Sequence, residues 1–452
     1  MKFLTHFVLL WALLFAAAEA KTPNIVVIFL DDSAWADFEP FGIPAYKTPH
    51  VSQLAKEGRR FNQLYVPQAI CSASRAALLS GCFPGRTKVF GAHGPNGRGL
   101  DPKFTNIAEM LKKKDYQTAI FGKWHVGDQP ETRPAARGFD ESAGLMYSND
   151  MWEFHPESPE HWGKFPLMYY ENNKVIIDRV TKEHQPFLTT WYTEKAVDFI
   201  GRNKENPFFL YVPHSMPHVP LFVSEKFAGK SGAGLLGDVL MEIDWSVGQI
   251  NKALKDNGLE DNTMLVFTSD NGPWVSYGNH AGSTPFREAK GTSFDGGIRS
   301  ACIVKYSGQL KAGSVSEDAW CTVDLMPTIA HLTEASLPEH PIDGKNVWPL
   351  IKGEAHAKNP NKYYAFSNGS DFQGVIRGDG HWKLHLPHTY RTLVDPANDG
   401  QAGKYRQARI EVSLFDLEKD PYETTNVAAQ NPKIFSELHQ LAIKHREKFY
   451  TK

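Results

Sequence analysis

The chain alternates short apolar segments with longer segments whose apolar residues recur every three or four positions. Four of the short segments are rich in β-branched and aromatic residues and end in polar side chains; they cover residues 24–30, 117–125, 207–214 and 263–272. An apolar run of this kind is typical of a strand buried on both faces of a parallel sheet. The pattern therefore predicts parallel strands whose carboxyl ends carry polar groups.

Segments with helical spacing separate these strands and include residues 48–58, 103–115 and 240–258. This alternation predicts an α/β fold, a large and mostly parallel sheet sandwiched by helices. Beyond residue 352 the pattern changes to short alternating segments joined by turns, and then to an amphipathic segment over roughly 432–449. We interpret that part as a smaller C-terminal α+β domain. The predicted boundaries are 21–352 for the larger, catalytic domain and 353–452 for the smaller one.

The N-terminus has the features of a secretory signal peptide. Lys2 precedes an apolar run at 7–17, and Ala-Glu-Ala at 18–20 forms a small-x-small cleavage site. The run is too short to span a bilayer, and a buried N-terminal helix is the alternative interpretation. We expect residues 1–20 to be a signal peptide, and the mature protein to start near Lys21 as an exported protein without a membrane span.

Composition and charge limit the classes of partner. The 452 residues carry a formal net charge of −2, so the basic surface that nucleic-acid binding needs is absent and no nucleic-acid partner is expected. An anionic substrate would have to be bound by a few cations in a pocket, because the overall field does not attract it.

The chain contains only four cysteines: Cys71, Cys82, Cys302 and Cys321. That is too few for a disulfide scaffold, and no Cys-x-x-Cys pair indicates a thiolate zinc site. Cys302 and Cys321 could pair in an exported protein, although their spacing does not establish it. Cys71 precedes Ser-Ala-Ser-Arg and an apolar helix-like run. Its surroundings leave four roles open, which are a core thiol, a disulfide partner, a metal ligand and a nucleophile.

Polar pairs close two of the predicted strands. Asp31 and Asp32 follow the first strand, and Asp270 and Asn271 follow the strand at 263–269. Ligands of open α/β sheets bind beyond the carboxyl ends of the strands. If the two pairs meet there, their oxygens suit a hard cation such as Ca²⁺ or Mg²⁺. A helix cap or a turn is the alternative for any one of them.

Several cationic residues follow the same strand ends: Arg75, Lys123, His125, His214, His218 and Lys290. Each alone could be a surface charge. Together they suit a multiply oxygenated anion such as sulfate or phosphate, with Arg as a bidentate donor, Lys as a point charge and His as a proton donor.

The ordered motifs resemble those of the formylglycine-dependent sulfatases of the alkaline phosphatase superfamily. They run over nearly all of the mature chain, and are the Asp pair after the first strand, CSASRAALLSG, GKWHVG, RGFDE, FTSDNGP, KGTSFDGGIR and DLMPTIAHL. The family motif Cys-x-Pro/Ala-x-Arg is present as Cys71 to Arg75. The stretch from Gly122 to Trp152 further resembles the arylsulfatase A and galactosamine-sulfatase branch.

The resemblance implies an alkaline phosphatase-like fold and a sulfuric ester hydrolase. Cys71 would be oxidised by a maturation enzyme to Cα-formylglycine (3-oxoalanine), whose hydrate attacks sulfur to give a sulfo-enzyme intermediate. The second hydroxyl of the hydrate would then allow sulfate to be eliminated, a covalent route of two easier steps. The substrate would be an aryl sulfate or a sulfated carbohydrate, and exo-cleavage of the carbohydrate is our expectation.

The resemblance also implies the role of each site residue. The metal ligands, for Ca²⁺ or alternatively Mg²⁺, would be Asp31, Asp32, Cys71 in its modified form, Asp270 and Asn271. Arg75 would orient the hydrate and His125 would be the base of the elimination. The sulfate contacts would be Lys123, His218, Lys290 and Ser148. His218 would also protonate the leaving oxygen, and His214 is its rival for that role.

The sequence departs from the family pattern at three positions. Ala34 stands where a Gly is usual after the Asp pair, and Cys82 stands where an Arg is frequent. Ala73 replaces the commoner Pro of the modification motif, which favours a bacterial source over a lysosomal one.

Two other functions compete with the sulfatase. A phosphatase or phosphodiesterase of the same superfamily would use Thr or Ser as the nucleophile, with more ligands for two zinc ions. A non-catalytic binder of sulfated glycans would result if Cys71 stayed unmodified. Four residues are candidates for the mouth of the pocket and equally for structural roles: Arg137, Trp152, Trp274 and His280.

Overall fold

The computed structural model describes residues 22–451, so the predicted signal peptide lies outside the described residues. A large sheet contains eleven strands: β1 (Asn24–Leu30), β2 (Arg59–Tyr65), β3 (Gln117–Lys123), β4 (Glu141–Leu145), β5 (Tyr169–Glu171), β6 (Lys174–Ile177), β7 (Phe208–Pro213), β8 (Thr263–Ser269), β9 (Arg299–Lys305), β10 (Ser314–Ser316) and β11 (Trp320–Cys321). Its order is β10-β2-β9-β8-β1-β7-β3-β4-β5-β6, and β11 also pairs with β2.

The centre of this sheet is parallel, as predicted. Strands β8, β1, β7, β3 and β4 run in one direction, while β9, β5 and β6 add antiparallel pairings toward the edges. Every residue of β1, β7 and β8 is buried, because helices cover both faces of a sheet of this type. The predicted α/β class is therefore confirmed, with a mixed periphery.

The helices are α1 (Pro49–Glu57), α2 (Cys71–Ser80), α3 (Pro84–Thr87), α4 (Ile107–Lys112), α5 (Pro159–Trp162), α6 (Leu188–Arg202), α7 (Gly234–Asp256), α8 (Asp295–Ile298), α9 (Leu325–Thr333), α10 (Trp348–Lys352) and α11 (Pro432–Phe449). Helix α4 is shorter than the predicted segment 103–115, because a capping box of Asn106 and Glu109 starts it late. Among the described residues no helix has the length and apolar character of a membrane span.

A second, antiparallel sheet lies in the C-terminal part and has the order β12-β13-β14-β17. Its strands are β12 (Tyr363–Asn368), β13 (Asp371–Arg377), β14 (Trp382–His385) and β17 (Ser413–Asp416), and a separate hairpin consists of β15 (His388–Asp395) and β16 (Lys404–Ile410). Helix α11 packs on this sheet through Leu438 and Ala442. The smaller C-terminal unit is confirmed, whereas the boundary at 352/353 stays a prediction.

The four cysteines are buried and none is in a disulfide. Strands β9 and β11, which carry Cys302 and Cys321, pair with opposite edges of β2. Strands two places apart in a sheet are separated by about 9–10 Å, which exceeds the span of a disulfide. The pairing considered from the sequence is therefore absent.

Candidate active site

The two polar pairs meet because β1 and β8 are parallel and in register, with Leu30 opposite Ser269. The residues that follow β1, Asp31 and Asp32, are therefore neighbours of Asp270 and Asn271, which follow β8. The backbone N–H of Asp32 donates to Oδ1 of Asp270 over 3.1 Å, and Nδ2 of Asn271 donates to Oδ1 of Asp32 over 2.8 Å. The carboxylate of Asp31 is buried beside them.

Cys71 is the first residue of α2 and is buried against these carboxylates. Its Sγ lies 3.4 Å from Oδ1 of Asp31 and 3.7 Å from Nζ of Lys290. Burial, and then the negative charge of Asp31, raise the pKa of the thiol. Because the thiolate is the nucleophilic form of cysteine, an unmodified Cys71 is a weak nucleophile here.

Arg75 lies one helical turn after Cys71 and so faces the same site. Its Nε and Nη2 donate to Oδ2 of Asp270 over 3.1 and 2.9 Å. Its Nη1 donates to the carbonyl of Lys123 over 2.8 Å, and Nη2 is 3.5 Å from Oδ2 of Asp31. The guanidinium therefore joins the carboxyl ends of three strands, β1, β3 and β8.

Lys123, the last residue of β3, extends into the same cluster. Its ammonium group contacts Oδ2 of Asp31 and donates to Oγ of Ser148 over 3.1 Å. Ser148 follows β4, the parallel neighbour of β3. Burial lowers the pKa of Lys123, but Asp31 and the other anionic groups around it together raise that pKa overall, and the side chain stays cationic.

His125 adopts a left-handed backbone conformation with φ 57° just beyond β3. Its Nε2 is 2.7 Å from the carbonyl of His93, and its buried Nδ1 has no hydrogen-bond partner among residues 22–451. Burial, and then the charges of Lys123 and Arg75, hold the pKa of His125 well below its usual value. The ring is therefore neutral, with Nε2–H donating to the carbonyl and Nδ1 free to accept a proton.

His218 and His214 both follow β7 but take different positions. Nε2 of His218 lies 3.5 Å from Oδ2 of Asp32, and its Nδ1 contacts the carbonyl of Val219 at 2.5 Å. His214 instead contacts Oγ of Ser246 at 3.2 Å, in helix α7. The structure thus brings His218 to the carboxylates and turns His214 into the helical layer.

Lys290 closes the cluster from the loop that follows β8. Its Nζ donates to Oδ2 of Asp32 over 2.7 Å and lies 4.4 Å from the ring centroid of Trp274. Burial opposes the charge of Lys290, but Asp32 and other anions raise its pKa overall. A second cation is therefore fixed on the side of Cys71 where Asp32 lies.

The buried charges form a nearly balanced set of three carboxylates and three cations. Burial raises the pKa of an isolated carboxyl, yet Lys123 and the neighbouring cations hold the pKa of Asp31 well below its usual value. At Asp270 burial and the repulsion of Asp31 prevail, and they raise its pKa to about 7. The repulsion among these carboxylates is the electrostatic situation that a divalent cation relieves.

The side chains at this edge of the sheet form a possible site for a metal ion. Ligand atoms of Asp31, Asp32, Cys71 and His218 all lie within 4.8 Å of one another. Oδ1 of Asn271 is buried next to them and has no hydrogen-bond partner in the described part of the chain. Asp270 is attached through the N–H of Asp32. Carboxylate and amide oxygens favour Ca²⁺ or Mg²⁺ over softer metals.

The four candidates for the mouth separate into structural residues and one site neighbour. Arg137 is buried and bonds Glu109 and two backbone carbonyls, and Trp152 is buried against Phe222. His280 lies beside Gly400 at the turn of the C-terminal hairpin: a Cβ atom placed on Gly400 would be 3.6 Å from Nδ1 of His280. Trp274 alone packs on the cluster, edge-on to His218 with ring centroids 5.5 Å apart.

Sequence reasoning missed three residues around the site. The carbonyl of His93 holds His125, as described above. Asp150 has a buried Oδ1 without a hydrogen-bond partner among residues 22–451, and its Oδ2 lies 3.4 Å from Nε2 of His155. Its position two residues after Ser148 was a usable signal. Arg391 bonds the backbone of Lys290 from 101 residues away, and no motif indicated it.

Comparison with known proteins gives a consistent result. A family profile described as Sulfatase matches residues 23–335. Arylsulfatase A of Homo sapiens is 34% identical over 462 residues, covering 96% of this chain and 90% of that protein. N-acetylgalactosamine-6-sulfatase of Mus musculus is 36% identical over 396 residues, covering 82% of this chain and 74% of that protein.

A solved structure has the same fold. The PsFucS1 sulfatase from Pseudoalteromonas sp. superposes with a TM-score of 0.85, covering 96% of this chain and 93% of that chain at 24% identity. The similarity therefore extends through both sheets, including the C-terminal one.

Proposed function

This chain belongs to the sulfatase family of sulfuric ester hydrolases, and we propose that it removes sulfate in exo fashion from a sulfated carbohydrate by means of a nucleophile generated from Cys71. The observation that carries this proposal is the position of Cys71. It begins α2 in contact with Asp31 and Lys290, among cations suited to the three outer oxygens of a sulfate ester.

The reactive groups that the proposal needs are a 3-oxoalanine at position 71 and a Ca²⁺ ion. When present, the hydrated aldehyde supplies an oxygen nucleophile and the ion supplies positive charge beside it. Asp31, Asp32, Asp270 and Asn271 would hold the ion, with residue 71. Arg75, fixed by Asp270, orients residue 71 from one helical turn away.

Lys123, Ser148 and Lys290 bind the sulfate oxygens in this proposal. Lys123 pairs with Asp31 and Lys290 pairs with Asp32, so the two ammonium groups lie near residue 71 beside different carboxylates. Their ammonium groups are already buried and fixed before substrate binds, and such preorganised charges stabilise the negative charge that develops on the oxygens in the transition state.

Two histidines divide the proton transfers. Nδ1 of His218 contacts the carbonyl of Val219, which fixes the ring with Nε2 toward the site. Only the imidazolium form of His218 carries a proton at Nε2 for the leaving alkoxide, and burial together with Lys290 lowers the pKa of this residue while Asp32 raises it. Neutral His125 accepts a proton at its free Nδ1, which suits the base of the elimination step. Acid catalysis by His218 therefore requires that it be protonated in the complex with substrate, whereas His125 acts in its neutral form.

A pair of measurements tests the proposal. Mass spectrometry of the peptide spanning residues 61–75, from protein made in a host with a maturation enzyme, should show Cys71 converted to 3-oxoalanine. The same protein should release sulfate, and not phosphate, from matched nitrophenyl esters. A persistent thiol with glycan binding but no turnover would support the binder instead, and phosphate release would support the phosphatase.

A panel of sulfated monosaccharides and oligosaccharides then tests the substrate class. Release of sulfate from a terminal sugar but not from an internal one would support exo-cleavage. Turnover of aryl sulfates without any sulfated sugar would contradict a carbohydrate substrate. In the native host, we expect export, and N-terminal sequencing of the secreted or periplasmic protein should begin near Lys21.

A further inference from the structure

We propose that the hairpin β15–β16 is a positioning element that fixes Lys290 and Trp274 against the sulfate site, with Arg391 as its principal contact. This inference rests on the proposed function, since it assigns a role to the loop that carries a sulfate-binding lysine. The hairpin lies about one hundred residues downstream and contributes no residue to the cluster around Cys71.

Residues 390–392 of β15 form hydrogen bonds to the loop that carries Lys290. Nη2 of Arg391 donates to the carbonyl of Lys290 over 2.6 Å, and Oγ1 of Thr392 donates to Oε1 of Glu288 over 2.9 Å. From the other direction, Nη2 of Arg287 donates to the hydroxyl of Tyr390 over 2.9 Å. Three consecutive residues of β15 therefore bond the loop at Lys290 and at two residues that precede it, Arg287 and Glu288.

The loop needs such support, because its backbone is in an unfavourable conformation. Glu288 has φ 54° and Gly291 has φ 77°. A non-glycine residue such as Glu288 holds this left-handed conformation only where its surroundings impose it. A Cβ built on Gly291 would lie 2.6 Å from Nη2 of Arg391. The guanidinium therefore packs directly on the turn that places Lys290.

The tip of the hairpin holds the neighbouring loop at 274–280. The N–H groups of Ala397 and Gly403 both donate to the carbonyl of Ser276 over 2.9 Å, and Nδ2 of Asn279 donates to Oδ1 of Asp399 over 2.9 Å. This loop begins with Trp274, whose ring lies under the ammonium of Lys290. The hairpin thus spans both loops that border this side of the site.

A buried ion network anchors the far end of the same loop to the C-terminal sheet. Nζ of Lys383 bonds Oδ1 of Asp295 over 2.8 Å and Oε1 of Glu423 over 2.9 Å. The N–H of Asp295 donates to Oε2 of Glu423 over 2.7 Å. The N–H of Lys290 also donates to the carbonyl of Pro273, and the N–H of Gly291 to that of Ala69. The bond from Arg391 to the carbonyl of Lys290 is the restraint that the hairpin adds to this support.

Substitution of Arg391 tests this inference, with Arg391→Lys as the conservative variant and Arg409→Ala as the matched control. Arg409 lies on β16 of the same hairpin, and among residues 22–451 its guanidinium bonds the exposed side chain of Glu411 and no residue of the loop. The measurements are kcat and KM for nitrophenyl sulfate, the inhibition constant of inorganic sulfate, the Tm, and hydrogen exchange of the peptide at 286–294.

For Arg391→Ala we expect the inhibition constant of sulfate and the KM to rise about tenfold, because a misplaced charge loses most of its binding contribution. Exchange at 286–294 should increase while the Tm stays close to that of the parent. Arg391→Lys should recover part of the sulfate affinity, and Arg409→Ala should match the parent in every measurement.

The inference is overturned if Arg391→Ala binds sulfate as tightly as the parent, or if Arg409→Ala loses the same affinity. Should Arg391→Ala fail to fold, Thr392→Val decides the matter, with increased exchange at 286–294 and weaker sulfate inhibition expected. A parent enzyme that does not hydrolyse sulfate esters refutes the proposed function. In that case binding of inorganic sulfate, measured by calorimetry on the parent and the variants, still tests the hairpin.

Discussion

The buried guanidinium of Arg75 offers a quantitative test of how the site is held together. Arg75→Met keeps most of the side-chain volume but removes the positive charge and the donors to Asp270 and to the carbonyl of Lys123. Removing one partner of a buried ion pair costs about 3–5 kcal/mol, because the other charge is left uncompensated. We expect Arg75→Met to be less stable than the parent by about 4 kcal/mol.

Arg202 provides the matched control, because it makes similar bonds at the surface. Its guanidinium bonds both carboxylate oxygens of Glu141 over 2.9 and 2.8 Å and Asp198 over 2.7 Å, but its side chain is 49% exposed. Exposed ion pairs contribute about 0–1 kcal/mol. Arg202→Met should therefore lose no more than about 1 kcal/mol.

Thermal unfolding in calcium-containing buffer measures the difference. An unfolding entropy of about 2.1 cal/mol/K per residue converts 4 kcal/mol into a Tm decrease of about 4 °C for a chain of this size, against about 1 °C for the control. The double variant Arg75→Met/Asp270→Asn isolates the cause. Asn keeps the oxygen that accepts the N–H of Asp32, so neutralising Asp270 should cost less in the Arg75→Met background than in the parent.

Two results would refute this reasoning. The first is equal destabilisation by Arg75→Met and Arg202→Met, which would mean that burial does not decide the cost. The second is an Asp270→Asn substitution that costs as much without Arg75 as with it, which would mean that the uncompensated charge is not the source of the loss.

The remaining predictions concern the metal, the acid and the response to pH. Calcium at one hundred times its Kd should stabilise the parent against unfolding by about 2.7 kcal/mol, and EDTA should reverse this gain. Asp31→Asn should lose most of the gain. An equal gain in this variant would contradict the proposed ligand set. His218→Ala should lower kcat for sugar sulfates by about 10²-fold or more, but should lower kcat for nitrophenyl sulfate much less, because its leaving group needs no proton. His214→Asn should leave kcat for both substrates near the parent values. The reverse pattern would make His214 the acid. Burial lowers the pKa of His445 to about 4, below its unfolded value of about 6.5, so its stabilisation is complete above pH 6.5 and is lost as the pH falls toward 4. The shift corresponds to about 3 kcal/mol. In urea unfolding at pH 7 and pH 4, His445→Phe should be spared this acid-induced loss of stability, and His439→Asn on the same helix should retain it. An equal loss in both variants would be inconsistent with a buried neutral His445.

The amino-acid sequence by itself determined the central strands and the edge at which polar groups gather. The apolar run at 24–30 is β1, and the helical pattern at 432–449 is α11. A run of buried β-branched residues has few alternatives to a central parallel strand, and parallel strands present their carboxyl ends at one edge. The convergence of Asp31 and Asp32 with Asp270 and Asn271 follows from that rule.

Only the tertiary structure decided which side chains of the loops reach that edge. His214 and His218 occupy one short segment with three prolines, and strand periodicity does not extend into it, so the sequence left their directions open. Cys302 and Cys321 lie on opposite sides of β2 because of the strand order, which spacing does not encode.

The hairpin β15–β16 and its contact with Lys290 were beyond sequence reasoning for a related reason. Its strands are mostly polar and only partly buried, so they carry no regular apolar alternation from which a strand could be predicted. Arg391 and Lys290 meet through a side chain and a backbone carbonyl. Every residue type has a backbone carbonyl, so the amino-acid sequence does not indicate which carbonyl Arg391 bonds. Only the folded chain shows this contact.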